Sequence, residues 1–289
     1  MSNANVSVSA RREIAYPPTT MLIIQRLKTL VMIATLSPVK ATQFRNMDDD
    51  DSIDIEPRSP RELLGRAALL AALGRRGLIE AEADDDPMSA ETDQFDLQAW
   101  TRVELGFWMS PHDLHILQAP VGSLIEQEEA YCADALVSAS TIGWCMGVSS
   151  RPLPLLSDGA PEREVLAWTP APWTTIGSRV RLVRVRTDDE LARERERWEL
   201  IVWRLSLFTI TASLPDDEAA LRDVLVEVAN AGIIPVSGDD FATDEGQPFR
   251  DLEPNRRDQL DAEATLRLQA MNWVCGFGDR WEDVPLFPD

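Results

Sequence analysis

Three hydroxyl residues in this chain each stand three places ahead of a glutamate at the foot of an apolar run: Ser59 before Glu62, Ser123 before Glu126 and Thr187 before Glu190. Ser110 before Asp113 is a shorter relative. At that spacing the hydroxyl accepts from the third backbone N–H of a helix while the carboxylate reaches back to the N–H of the capping residue, so two orphan donors are satisfied at once. Glycines offer the matching stops: Gly77 after Arg75-Arg76, Gly147 after Met146 and Gly232 after Ala231. Starts and stops together predict helices over roughly 60–76, 124–146, 188–212, 215–231 and 257–274.

Apolar spacing supports this reading. From Asp188 onward, Leu191, Trp198, Ile201, Val202, Leu205, Phe208 and Ala212 recur at intervals of three and four and form one stripe, which leaves Arg193, Arg195, Glu196 and Glu199 to face away. Leu221, Val224, Leu225 and Val228 repeat the pattern. Asp48–Asp54, Asp84–Gln94, Pro152–Ile176 and Ser237–Glu253 read as non-helical, with residues 48–54 and 84–93 mobile because clustered Asp repels itself. Arg179–Arg186 alternates enough for an edge strand. The expected fold is mainly α, a single irregular helical domain with at most one or two short edge strands.

Charge divides the chain unevenly. Residues 1–47 carry net +5 within a total of −21, so the remaining body holds −26. The expected organisation is a basic, partly ordered head over 1–47 and an acidic helical domain over 48–289. A body of that sign repels nucleic-acid phosphates and anionic lipid and attracts basic partners. The expected partner is therefore a basic protein, with no nucleic acid and no membrane. Met21–Leu36 is the one stretch to test as a span, and Arg26 and Lys28 cut its apolar run well below the roughly 20 residues a bilayer needs. Cys132, Cys145 and Cys275 are scattered among apolar neighbours, the usage of buried thiols in a reducing compartment, so a cytoplasmic location is expected. Lys28 and Lys40 are the only lysines; the bias to Arg reads first as genome base composition.

Few residue sets carry recognisable chemistry. Gly143-Trp144-Cys145-Met146-Gly147 has the spacing of a nucleophile elbow, but a helical pattern precedes Cys145 where an elbow needs a strand. His112 and His115 could share a helix face, yet zinc needs three or four protein ligands and no spaced partner supplies the others. The acids Asp239, Asp240, Asp244 and Glu245 resemble a calcium loop in composition only, since Glu245 stands where the sharp turn requires Gly. No metal and no cofactor is expected.

The C-terminal end holds the most demanding side chains: Glu263, Arg267 and Met271-Asn272-Trp273, followed by Trp281-Glu282-Asp283-Val284. Three earlier segments precede it in order: Arg58-Ser59-Pro60-Arg61-Glu62, Arg186-Thr187-Asp188-Asp189-Glu190 ahead of Trp203-Arg204, and Gly238-Asp239-Asp240-Phe241 before Arg250-Asp251-Leu252. In that order these motifs resemble the bacterial domain-of-unknown-function family 4272 over roughly Arg58 to Val284. The resemblance implies a domain extent and a polar cluster of Trp203, Arg204, Asp239, Arg250, Arg267, Asn272, Trp273 and Trp281, but no reaction. Such a cluster is either a buried lock that closes the chain end onto the helices or a site; the lock is the expectation. Three functions follow: an acidic binding protein, for example an immunity-type neutraliser of a basic toxin; an enzyme of unknown chemistry using this cluster; or a regulatory adaptor docking through the basic head.

Overall fold

The computed structural model describes residues 55–149, 153–156, 162–209 and 215–288. The basic head, the acidic run Asp48–Asp54 and Met21–Leu36 lie outside the described residues.

Helix α1 (Pro60–Glu82) starts where Ser59 and Glu62 predict: Glu62 N–H donates to Ser59 Oγ at 3.4 Å, and Ser59 N–H donates to the Glu62 carboxylate at 3.0 Å. Every residue from Leu63 to Gly74 is buried, so α1 has no solvent face over this stretch and serves as the central element. It packs against α2 (Pro87–Glu104), α3 (Pro111–Gln118) and α4 (Glu126–Cys145). On its far side α4 meets α8 (Pro254–Val274), which packs on α6 (Asp188–Thr209). The short α5 (Glu162–Trp168) leans on α4, while α7 (Pro215–Ala231) leads into a two-residue hairpin, β1 (Val236–Ser237) antiparallel to β2 (Asp240–Phe241). Single 3₁₀ turns lie at Val180–Leu182, Phe249–Asp251 and Trp281–Asp283. A continuous apolar core joins these elements, and the fold is mainly α as expected.

The capping pairs at Ser110/Asp113 and Thr187/Glu190 form as read. At α4 the cap shifts by two residues: Ile125 N–H donates to Glu128 at 3.1 Å, while Ser123 Oγ is spent on the Pro120 carbonyl at 2.6 Å. Gly147 and Gly232 take positive φ of 71° and 61° after their helices. Gly77 is not a stop. A Cβ there would lie 2.8 Å from Cys132 Cβ of α4, and at Gly74 one would meet the Leu136 side chain, so these two glycines set the close approach of α1 to α4. The helix continues to Glu82 because Glu80 accepts from Gly122 N–H at 2.9 Å, Leu124 N–H at 2.7 Å and Arg76 at 2.7 Å.

Two regions read as non-helical and one read as an edge strand are corrected. Residues 87–94 begin α2, capped by Asp86, which accepts from Ser89 N–H at 3.1 Å with Pro87 in the first turn. The Pro-rich stretch contains α5. Arg179–Arg186 is no strand: after the 3₁₀ turn, Arg184 and Arg186 N–H groups donate to the Met146 and Cys145 carbonyls at the end of α4, at 3.2 and 2.9 Å.

Helix propensity favours Ala over Gly by about 1 kcal/mol, so Gly74→Ala separates local preference from packing. The expected outcome is a net loss of about 1–3 kcal/mol, read as a lower Tm, because the added methyl overpacks the α1–α4 contact.

Candidate functional site

The eight residues of the expected cluster do not meet at one point. They form three groups along α6 and α8.

At the hairpin, Arg204 of α6 donates from Nε and Nη2 to the two oxygens of Asp240 at 2.7 and 3.0 Å. Asp240 also accepts from the backbone N–H of Phe241 and of Arg250, each at 2.8 Å, which fills a fully buried carboxylate. Asp240 therefore holds the position assigned to Asp239, which instead forms an exposed ion pair with Arg250. Trp203 is buried beside Arg204. The Phe208 ring is flanked by Arg204 at 3.9 Å and Arg257 at 4.5 Å.

In the middle of the bundle, Arg267 lies 3.6 Å from Glu263, donates to Thr141 Oγ1 at 3.4 Å and stacks on the Trp198 ring at 5.2 Å. Burial, only partly offset by Glu263, lowers its pKa to about 10. Trp198 Nε1 donates to Glu194 at 2.8 Å, and Arg197 joins Glu194 to the Leu153 carbonyl.

The third group closes the chain end. Asn272 Oδ1 accepts from Arg195 Nε at 2.7 Å, and its Nδ2 donates to the carbonyls of Pro285 and Leu286 at 2.9 and 2.8 Å. Arg195 also pairs with Glu199 at 3.0 Å and lies over the Phe277 ring. Trp273 and Trp281 meet edge to face at 5.6 Å, with Arg58 and Arg66 over them. Arg58 Nε also donates to the Trp273 carbonyl, so the entry to α1 and the exit from α8 are fastened together.

The sequence reading missed Arg195, Glu196 and Glu199 as interior residues. All three are buried, contrary to the expectation that they face solvent. Arg195 and Glu199 neutralise each other one turn apart, a spacing equally common on solvated faces, so nothing local distinguishes the two cases. Glu196 is the least satisfied of them. Its Oε1 has no hydrogen-bond partner, and burial, with the Glu199 charge second, pushes its carboxyl up to about 8.

The remaining motifs are placed as follows. Cys145 ends α4 in the core, its Sγ 3.4 Å from Met271 Sδ, and burial raises its pKa well above the thiol range, so it offers no thiolate. His112 meets Tyr131 ring to ring at 4.9 Å, whereas His115 pairs with Glu128 at 3.2 Å on the wall of a cleft of about 490 Å³. Among the described residues no three His, Cys, Asp or Glu converge as a metal site would require. In the Asp/Gly loop, Asp240 is committed to Arg204, and Asp244 accepts from Leu155 N–H at 3.4 Å.

No family model, curated protein or solved structure matches this chain.

Replacing Asn272 by Ala leaves Arg195 Nε and two carbonyls short of a partner at about 1–3 kcal/mol per unpaired group. Urea denaturation should show this loss together with earlier proteolysis after residue 276. Glu196→Gln tests the buried carboxyl. A folded-state pKa raised above the ordinary 4.5 means that its stability contribution is complete below pH 4.5 and is lost as pH rises toward 8. The Gln variant should lose that slope and melt higher than the parent at pH 8, with the two converging near pH 4.

Proposed function

We propose that this chain is a cytoplasmic acidic binding protein for a basic protein partner, one concrete form being an immunity-type neutraliser of a basic toxin. The observation that carries the reading is the sorting of charge between interior and surface. Arg66, Arg76, Arg195, Arg197, Arg204 and Arg267 are buried against carboxylates, carbonyls and rings. Asp84, Asp85, Asp86, Glu91, Asp93, Glu126, Glu129, Asp258, Glu282 and Asp283 remain exposed. Each of those arginines is matched by an interior carboxylate, so the net negative charge of the body is left to its surface. A partner thus meets an excess of carboxylates, and opposite charge speeds association and suppresses wrong partners. Among the described residues no helix is long and apolar enough to cross a membrane. The enzyme alternative draws on the polar cluster, whose Arg204, Arg267 and Asn272 are buried and bonded to Asp240, Thr141 and Arg195 respectively instead of open to a substrate.

Affinity capture from lysate followed by kinetics in a salt series tests the reading. The expected partner is basic, and its association rate falls at least about tenfold between low and high salt. A captured partner that is acidic, or whose association ignores salt, would sink it.

A further inference from the structure

Helix α2 buries Ala90, Gln94, Leu97, Trp100 and Thr101 against the bundle. Its opposite face carries Met88, Thr92, Phe95, Ala99 and Val103, spaced by four, three, four and four, and Phe107 follows just beyond the helix end. Met88, Phe95, Val103 and Phe107 are 80%, 68%, 81% and 88% exposed. At 1.5 Å per residue the seam from Met88 to Val103 runs about 23 Å, and an apolar line of that length at helical spacing, turned to water, marks an interaction surface. Beside it the loop bearing Trp173 is tied to α2 by Trp100 Nε1, which donates to the Thr174 carbonyl at 2.7 Å, and by Glu104, which accepts from Ile176 N–H at 3.1 Å. Trp173 is 64% exposed and holds a positive φ of 69°, a strained conformation for a residue with a Cβ.

Charge selects the occupant. Glu91 and Asp96 flank the seam on its two sides, with Asp84, Asp85 and Asp86 at its start and Arg102 as the one cation of the helix. A second copy of a chain of net −21 would bring like charge against this face. A narrow apolar seam with acidic margins instead complements a helix that is apolar on one side and basic along both edges. We propose that the outer face of α2 is the docking face for the partner, and that its occupant is a basic amphipathic helix of that protein. This rests on the acidic-binder reading and adds the place and the secondary structure of the contact.

The test uses the full chain and a synthetic 18-residue peptide of leucine and lysine in amphipathic helical register, compared with a scrambled peptide of the same composition by fluorescence anisotropy. The register peptide should bind at least about tenfold more tightly than the scrambled one. Phe95→Asp and Val103→Asp should each weaken it about tenfold or more, while Val226→Asp, exposed on α7, leaves it unchanged. Because these side chains are exposed, the variants should melt like the parent, and circular dichroism checks that they do. Equal binding of the two peptides, or insensitivity to Phe95→Asp, would overturn the docking face while salt-sensitive binding of either peptide still upheld the acidic-binder reading. A parent dimer dissolved by Phe95→Asp in sedimentation would reassign the face to self-association. A tighter peptide complex on Leu30→Asp would reassign it to the chain's own basic head. Either result overturns the proposal.

Discussion

The Arg195 guanidinium is the interaction on which the arrangement of the C-terminal half depends. From α6 it reaches Asn272 on α8, and through that amide it governs the path of Pro285 and Leu286, while Glu199 balances its charge. Removing any member leaves a buried polar group facing the core, where desolvation is no longer offset. The pairing of α6 with α8 and the closure of the chain end are therefore one structural event.

The same logic explains why the cations of the body are arginines. Arg204 needs two parallel donors for the two oxygens of Asp240, and Arg267 needs a flat face for Trp198 as well as N–H groups for Glu263 and Thr141. A lysine ammonium supplies neither the fork nor the plane. These positions use what only a guanidinium offers. Each of these cations takes a carboxylate inward with it, so the net negative charge of the body stays at the surface.

Inward-facing charge and outward-facing apolar residues are complementary departures from ordinary patterning. α6 places Arg195, Glu196 and Glu199 in the interior, whereas α2 places Met88, Phe95 and Val103 in water. The first departure stabilises a particular helix pairing at the expense of one poorly satisfied carboxyl, Glu196. The second has no partner among the described residues and is the face proposed above for docking.

Much of the fold was legible from residues alone, because caps and helical stripes are local chemistry. Ser59, Ser110 and Thr187 begin helices for reasons contained within four residues, and Gly147 and Gly232 end α4 and α7 in a conformation other residues avoid. Asp86-Pro87 announced α2 in the same local terms, although the acidic run before it reads as a loop. Trp273 and Trp281, two of the residues that the C-terminal end singles out, meet edge to face. What the residues could not disclose was partnership across distance. Whether Asp239 or Asp240 takes Arg204, whether Gly77 ends a helix or admits Cys132, and whether Arg195 faces water or Asn272 are decided by how α1, α4, α6 and α8 cross. Hydrogen bonding within one turn is set by sequence spacing, whereas burial is a property of the neighbours that arrive.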